Sequence, residues 1–363
     1  EYHLYFQYNP YGSKWGNMHW GHSVSKDLVH WEHLAPAIAR DTLGHIFSGS
    51  SIVDQENVAG YGAGSILAFY TSASDKNGQI QCLAFSKDNG RTFTKYEKNP
   101  ILCPADGLRD FRDPKVFRYE PEDKWVMIVS ADKEMRFYDS KNLKDWNYMS
   151  NFGEGYGVQP CQFECPDMVE LPVDGDLNRK KWALIVNVNP GCYFGGSATQ
   201  YFTGDFDGKK FSCDSQSNVT KWLDWGKDHY ATVCFSNTGE RTIAVPWMSN
   251  WQYANAVPTK QFRSANSLPR DIELFKNVDG EYYISTTPSP ELVALRGKEV
   301  KYGQFSVHKK TISMKLPLNA DGLYEILADI NNSNITNVML SNADGDRVLM
   351  TYNSAKHTFG MDR

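Results

Sequence analysis

The sequence lacks the features of a membrane-spanning protein and of a nucleic-acid-binding protein. No apolar run approaches the roughly 20 residues that a membrane-spanning helix requires. The 363 residues carry a formal net charge of −5, with no basic block. These absences argue against a membrane span and against nucleic acid or an anionic membrane as partners. Nothing in the composition indicates the oligomeric state.

Metal-ligand spacing is also absent. The seven cysteines include Cys161 and Cys165, which are separated by three residues and have no second pair to match. Four histidines that lie close together in the sequence do not have a convincing ligand spacing either: His19, His22, His30 and His33. We therefore expect buried free thiols, no metal site and no cofactor.

Helical periodicity is hard to find, whereas a unit of about four strands repeats along the chain. Each unit contains a polar turn followed by an aromatic residue that opens the next strand. These aromatic residues recur at separations of 62, 53 and 65 residues: Trp31, Phe93, Trp146 and Phe211. Units of this length are close to the length of a propeller blade. With a fifth unit beginning at Tyr230, the sequence predicts an all-β protein with a five-bladed β-propeller.

The two ends of the chain depart from this repeat. Residues 2–8 match the second strand of the other units, so we expect the first inner strand to lie before residue 1. Residues 286–290 read as a linker, and stretches at 300–312, 322–330 and 337–352 predict strands of a second all-β unit. We therefore assign residues 1–287 to the propeller, with its first inner strand missing, and residues 288–363 to the N-terminal part of a truncated β-sandwich.

Three similar stretches open inner strands of the predicted propeller, and each begins with phenylalanine. They are Phe47-Ser48-Gly49-Ser50, Phe111-Arg112-Asp113-Pro114 and Phe163-Glu164-Cys165-Pro166. Because the inner strands of a propeller face one axis, we expect Asp113 and Glu164 to converge. Neighbouring carboxylates push their pKa values apart, which allows the protonated acid and the ionised carboxylate that glycosidic bond cleavage requires.

Arg112 would hold Asp113 ionised or bind a sugar hydroxyl. The alternatives are structural: a turn acid paired with Arg112 at position 113, and a surface acid at a strand end at position 164.

Seven motifs, in order, resemble glycoside hydrolase family 32, the family of invertases, exo-inulinases and levanases. The motifs are Tyr5-Phe6-Gln7-Tyr8-Asn9-Pro10, Trp15-Gly16-Asn17, Trp20-Gly21-His22, Phe47-Ser48-Gly49-Ser50, Phe111-Arg112-Asp113-Pro114, Glu164-Cys165-Pro166 and Asn250-Trp251-Gln252-Tyr253. The resemblance implies a five-bladed propeller followed by a β-sandwich. It also implies a retaining hydrolase that removes terminal β-fructofuranosyl units from fructans, fructo-oligosaccharides or sucrose.

The resemblance further implies roles for individual residues. Glu164 would be the acid/base, and Asp113, beside Arg112, would stabilise the transition state. Six residues would contact the substrate: Gln7, Trp15, Phe47, Ser48, Trp251 and Asp224. The sequence pattern alone favours a packing role for Trp15 and Trp251, and only the resemblance assigns them to the substrate pocket.

One departure from the family pattern concerns the nucleophile. In the family it is the Asp of an Asn-Asp-Pro-Asn-Gly motif on the first inner strand, and this motif does not occur in the sequence. We expect the natural protein to carry it upstream. The alternatives to an exo-acting hydrolase of fructosides are a fructan-binding propeller without catalysis, an endo-acting levanase or inulinase, and a hydrolase of arabinose or another furanoside. Analogy with the family implies a secreted, periplasmic or cell-surface location.

Overall fold

A computed structural model describes residues 1–317, 319, 321–331 and 334–362. The chain divides into two compact units, Glu1–Leu295 and Arg296–Arg363. Strands dominate the described residues, and two short 3-10 helices lie at Glu120–Glu122 and Pro290–Leu295. None of the helices in these ranges has the length and apolar character needed to cross a membrane. The predicted domain boundary at residue 287 stays a prediction.

The first unit is a five-bladed β-propeller, and the paired strands within each blade run antiparallel. Blade 1 contains β1 (Tyr2–Tyr8), β2 (His19–Ser25) and β3 (Trp31–Ile38). Blade 2 contains β4 (His45–Asp54), β5 (Ser65–Ser74), β6 (Gly78–Ser86) and β7 (Thr94–Lys95). Blade 3 contains β8 (Phe111–Tyr119), β9 (Lys124–Ala131), β10 (Glu134–Ser140) and β11 (Asn147–Phe152). Blade 4 contains β12 (Phe163–Val173), β13 (Asp176–Val188), β14 (Ala198–Phe206), β15 (Phe211–Cys213) and β16 (Lys221–Trp222). Blade 5 contains β17 (Ile243–Ala244), β18 (Arg270–Lys276) and β19 (Tyr282–Pro288).

The repeated polar turns close the outer hairpins through one kind of hydrogen bond. The side-chain oxygen of an Asp or Asn accepts backbone N–H groups one turn further along the chain, as Asp27 does from Val29 and His30 at 3.0 and 2.8 Å. The same bonds recur at three more turns, around Asp88, Asn142 and Asp207. An Asp or Asn that bonds its own backbone in this way favours a turn over a continued strand.

Hydrophobic cores lie between neighbouring blades, and alternate residues of a middle strand face opposite cores. In β9, Trp125 and Met127 pack with Leu67 of blade 2, whereas Val126 and Ile128 belong to the core shared with blade 4. Successive side chains of a strand point to opposite faces. A middle strand buried on both faces therefore reads as a continuous apolar run, as the sequence has it.

The end of the first unit differs from the predicted linker. Residues 286–288 belong to β19, where Thr286 pairs with Ile272 and Thr287 with Asp271 of β18. Proline at position 288 is tolerated because it ends the strand. These residues therefore complete blade 5 before the 3-10 helix begins.

The described residues of the second unit include an antiparallel sheet of β20 (Ile335–Ser341), β21 (Arg347–Asn353) and β22 (Thr358–Asp362). The predicted strand at 337–352 is therefore a hairpin. At 300–312 and 322–330, both within the described ranges, the structure has no strand. Apolar side chains such as Val300 and Leu327 are exposed there. A strand-like apolar pattern is not sufficient to form a strand where no neighbouring strand forms hydrogen bonds with it.

Candidate active site

The same irregularity occurs near the start of three inner strands. In β4, β8 and β12, two consecutive residues oppose one residue of the hairpin partner. The residue pairs are Phe47-Ser48, Asp113-Pro114 and Cys165-Pro166. Such β-bulges bend a strand and redirect its side chains. The bulges therefore explain why the sequence motifs, rather than the regular parts of the strands, supply the candidate site residues.

The pairing of the strands shows that the three phenylalanines that begin the motifs do not occupy the equivalent positions that the sequence predicts. Phe111 and Phe163 lie two residues before their bulges, but the residue at that level of blade 2 is His45. Phe47 is itself a bulge residue. Arg112 and Glu164 therefore occupy equivalent positions in adjacent blades, and Asp113 is equivalent to the residue that follows Glu164.

Asp113 is buried, and hydrogen bonds to two neighbouring blades fix its position. Its φ of +63° is in the left-handed region, which Asp tolerates better than most residues. Its N–H donates to Thr71 Oγ1 at 2.9 Å, and its Oδ2 accepts the N–H of Cys165 at 2.9 Å. Blade 2 thus holds the backbone of Asp113, and blade 4 holds its carboxylate.

Glu164 receives one hydrogen-bond donor on each carboxylate oxygen. Arg112 Nη2 donates to Oε1 at 2.8 Å, and the Tyr230 hydroxyl donates to Oε2. Arg112 is fixed in turn by Asp110 at 2.6 Å and Gln79 at 3.2 Å. The Glu164 side chain is 20% exposed, so its carboxyl group is oriented by the protein yet remains accessible to a substrate.

Burial and neighbouring charges shift the pKa values of Asp113, Arg112 and Tyr230. Burial raises the pKa of Asp113, Arg112 opposes this, and the Glu164 carboxylate adds to it, with a net upward shift. Burial lowers the pKa of Arg112, but Asp113 and Glu164 outweigh it, so the net shift is upward and the guanidinium stays charged. Burial, followed by Glu164, raises the pKa of Tyr230 well above its usual value, so Tyr230 remains a neutral donor.

Blades 1 and 2 bring four of the predicted substrate residues to the same end of the propeller. Gln7 donates its amide to the carbonyl of Ile46 at 3.1 Å, directly before the first bulge. The exposed Trp15 ring meets Phe47 edge-on, with centroids 5.9 Å apart. Burial raises the pKa of the Cys165 thiol well above its usual value, and the neighbouring Ser48 side chain opposes this shift.

Trp251 and Asp224 differ in how they relate to this cluster. The Trp251 ring packs on Trp247 with centroids 5.1 Å apart, and Trp247 packs on Tyr230 at 6.1 Å. Trp251 is thereby connected to Glu164 through Tyr230. Asp224 instead binds Arg270 Nη1 at 2.6 Å and lies 3.5 Å from His229 Nδ1.

Sequence reasoning missed Tyr230, Thr71 and Gln79 as residues of this site. A signal existed for Tyr230, because it opens the stretch that corresponds to the inner strand of the fifth unit. The structure has isolated bridges there, with Tyr230 opposite Trp247. Thr71 and Gln79 lie on middle strands, where no motif distinguishes them.

In the part of the chain that the structure describes, no group of three or more His, Cys, Asp or Glu residues is placed to hold a metal ion.

Residues 1–287 match the model of the glycosyl hydrolases family 32 N-terminal domain. The chain belongs to glycoside hydrolase family 32. The resemblance predicted from the seven motifs is therefore confirmed. So is the all-β fold class, a five-bladed propeller followed by a β-sandwich, because the solved family 32 structure described below shares the fold.

Two curated relatives and one solved structure illustrate the family 32 similarity. The chain is 47% identical over 336 residues to a levanase of Bacillus subtilis (strain 168), covering 91% of this chain and 49% of the relative. It is 39% identical over 328 residues to an extracellular exo-inulinase of Meyerozyma guilliermondii, covering 86% of this chain and 60% of the relative. A β-fructofuranosidase from Schwanniomyces occidentalis, complexed with fructosyl-erythritol, superposes with a TM-score of 0.83 at 34% identity, covering 99% of this chain and 74% of that one. The chain thus spans about half to three fifths of the length of these curated relatives.

Proposed function

We propose that the whole protein is a retaining exo-hydrolase that removes terminal β-fructofuranosyl units from levan, inulin, fructo-oligosaccharides or sucrose. The observation that carries this proposal is the accessible Glu164 carboxyl group, held between Arg112 and Tyr230 and next to the buried Asp113. The names of the family 32 relatives, levanase and extracellular exo-inulinase, support the substrate class.

Glu164 is the proposed general acid and base. It protonates the glycosidic oxygen as the bond breaks, and it then removes a proton from the water that releases fructose. Arg112 and Tyr230 limit the rotation of the carboxyl group, which keeps the acid oriented toward the leaving group.

Asp113 is the proposed stabiliser of the transition state. Its carboxylate would accept hydrogen bonds from fructose hydroxyls and face the positive charge that develops on the sugar ring. The raised pKa of Asp113, caused first by burial, indicates that its charge is poorly compensated in the resting site. A cationic transition state supplies that compensation, so the interaction is stronger in the transition state than in the ground state.

The proposed pocket for the terminal fructose is lined by side chains from several blades: Gln7, Trp15, Phe47, Ser48, Trp251 and Asp224. The contact between Trp15 and Phe47 and the packing of Trp251 on Trp247 support this assignment. The Asp224–Arg270 ion pair would form a wall further from Glu164. The nucleophile motif that the family resemblance implies does not occur in this sequence, so activity is tested in the whole natural protein.

The test is a sugar-release assay with inulin, levan and sucrose in parallel. We expect free fructose from a fructan, or fructose with glucose from sucrose. Longer oligosaccharides as the only early products would indicate endo action. Binding of fructan without any product would indicate a fructan-binding propeller, and cleavage of an arabinoside but not of sucrose would indicate another furanosidase.

We also propose that the protein acts outside the cytoplasm. A polymeric substrate cannot readily enter a cell, and one family 32 relative is named as extracellular. Detecting the protein in the culture medium or at the cell surface of its source would support this location. Its confinement to the cytoplasm would contradict it.

A further inference from the structure

Three aromatic side chains form a cluster that neither the core nor the proposed catalytic residues require. In this rim aromatic cluster, Tyr193 is 80% exposed and Trp225 is 69% exposed. Phe194 lies between them and meets both edge-on, with ring centroids 5.3 Å from Tyr193 and 5.8 Å from Trp225. Single exposed aromatic residues are common, but contiguous ones mark a binding surface more often.

The rim aromatic cluster lies at the same end of the propeller as Glu164. Tyr193 and Phe194 belong to the loop between β13 and β14, which begins directly after Val188. Val188 pairs with Phe163, the residue before Glu164. The loop therefore starts beside the acid and extends outward from the mouth of the channel.

A buried asparagine fixes the bases of both segments of the cluster. The side-chain amide of Asn250 donates to the carbonyls of Gly195, Ser197 and Lys227 at 3.3, 3.2 and 2.9 Å. A side chain on Gly196, whose φ is +78°, would place its Cβ 2.0 Å from Asn250 Oδ1. The exposed aromatic residues therefore stand on a rigid base, which lowers the entropic cost of binding a ligand.

We propose that the rim aromatic cluster is a subsite for the sugar residues that follow the terminal fructose. This assignment rests on the proposed function. Sugar rings have apolar C–H faces that pack on aromatic rings, while the tyrosine hydroxyl and the indole N–H can bond sugar hydroxyls. The cluster adjoins the pocket through Asn250 and the neighbouring Trp251, whose N–H donates to Ser197 Oγ at 3.2 Å. A chain leaving the pocket on this side meets Trp225 and Tyr193, whereas sucrose offers only one residue beyond the fructose. The subsite therefore favours fructan chains.

The first test compares Tyr193→Ala and Trp225→Ala with a matched control in the full-length protein. The control is Tyr148→Ala, because Tyr148 is 57% exposed and packs on Tyr138, on outer strands of blade 3. We expect the ratio of kcat/KM for a long fructan to kcat/KM for sucrose to fall about tenfold in each rim variant, equivalent to about 1.4 kcal/mol of binding. The control should keep the wild-type ratio. An unchanged ratio in both rim variants would overturn the proposal.

A binding experiment separates failure of the subsite from failure of the proposed function. In the Glu164→Gln background, we expect affinity for fructo-oligosaccharides, measured by calorimetry, to rise with chain length. Tyr193→Ala should remove that rise. If the wild-type protein hydrolyses no fructoside but shows this dependence, the proposed function fails and the subsite stands. Affinity that is independent of chain length would overturn the subsite.

Discussion

The neighbouring bulges of β8 and β12 share one backbone irregularity and carry complementary charges. Before the bulges, Arg112 of blade 3 pairs with Glu164 of blade 4 at 2.8 Å. After the bulges, Lys115 pairs with Asp167 at 2.7 Å. The two ion pairs are therefore formed by equivalent positions of the same two strands, on either side of the bulges.

Burial distinguishes the two ion pairs. We call Arg112–Glu164 the outer pair and Lys115–Asp167 the inner pair. The Glu164 side chain is 20% exposed, whereas that of Asp167 is 0% exposed. Burial lowers the pKa of Lys115, but Asp167 outweighs it, so the net shift is upward and the lysine stays charged. The Lys115–Asp167 pair is thus suited to hold the strands together, whereas the accessible Glu164 is suited to the acid/base role that we propose for it. In this proposal, the same backbone irregularity contributes to stability at one pair and to catalysis at the other.

We expect the largest effect from replacing Glu164, the proposed acid of the outer pair. Glu164→Gln keeps the size of the side chain and one of its two hydrogen-bond acceptors, but it removes the acid. We expect kcat on sucrose or fructan to fall by about 10² to 10⁴-fold, the usual contribution of general acid–base catalysis. The melting temperature should stay close to that of the wild type. A wild-type rate in this variant would show that Glu164 is a structural acid.

Breaking the inner pair should instead damage stability. Asp167→Ala leaves the Lys115 ammonium buried without its partner, and we expect a loss of about 3–5 kcal/mol in the free energy of unfolding, measured with a chemical denaturant. The matched control is the double variant Lys115→Met with Asp167→Leu, which replaces the pair by apolar side chains. It should lose less stability than the single variant, because it leaves the buried Cys234 N–H without its acceptor but leaves no unpaired charge. Equal stability of the two variants would contradict a cost of burying the unpaired ammonium group.

Asp113→Asn should separate rate from stability. We expect kcat to fall by about 10² to 10³-fold, as for the loss of a preorganised electrostatic group. We also expect the free energy of unfolding at pH 7 not to fall, because burial and Glu164 already disfavour the Asp113 charge. A lowered melting temperature with an unchanged rate would make Asp113 a structural residue.

The pH dependence gives Asp113→Asn a second readout. The pKa of Asp113 is raised above 3.8 in the folded state, so the folded protein binds this proton more tightly than the unfolded chain does. The wild type therefore loses stability from this group as pH rises from about 3.8 through the folded-state pKa. The stability of the variant relative to the wild type should increase across that window and then level off. A difference that is independent of pH would contradict the upward shift.

Tyr230→Phe should have the smallest effect of the four, because Glu164 keeps its bond to Arg112. We expect kcat to fall about tenfold, in line with the loss of one hydrogen bond to a charged group. A wild-type kcat in this variant would contradict a role of the Tyr230 hydroxyl in orienting Glu164.

The repeat and the motifs were sufficient to predict the propeller and the meeting of its two acids. Polar turns and aromatic strand openings recur in the sequence because every blade needs them, and Asp113 and Glu164 converge because inner strands face one axis. Their neighbouring pair, Lys115 and Asp167, looks in the sequence like ordinary strand residues.

The contacts that complete the site could not be predicted in the same way. The positions of the bulges depend on the hairpin partner, which the motifs do not show. The motifs therefore align Phe47 with Phe111, whereas the residue of blade 2 that is equivalent to Phe111 is His45. Tyr230, which donates to Glu164, lies 66 residues later in the chain. Local propensity carries no information on contacts of that range, and in the second unit it predicts strands that have no partner.

The most direct test of the account is a comparison of leaving groups in the full-length protein. Fructosyl fluoride needs little proton donation to release fluoride, whereas sucrose requires a protonated glycosidic oxygen. If Glu164 is the acid, single-turnover release from sucrose should fall by about 10² to 10⁴-fold in Glu164→Gln, while fluoride release stays close to the wild-type rate. Equal losses on both substrates would contradict the role of Glu164 as the proton donor.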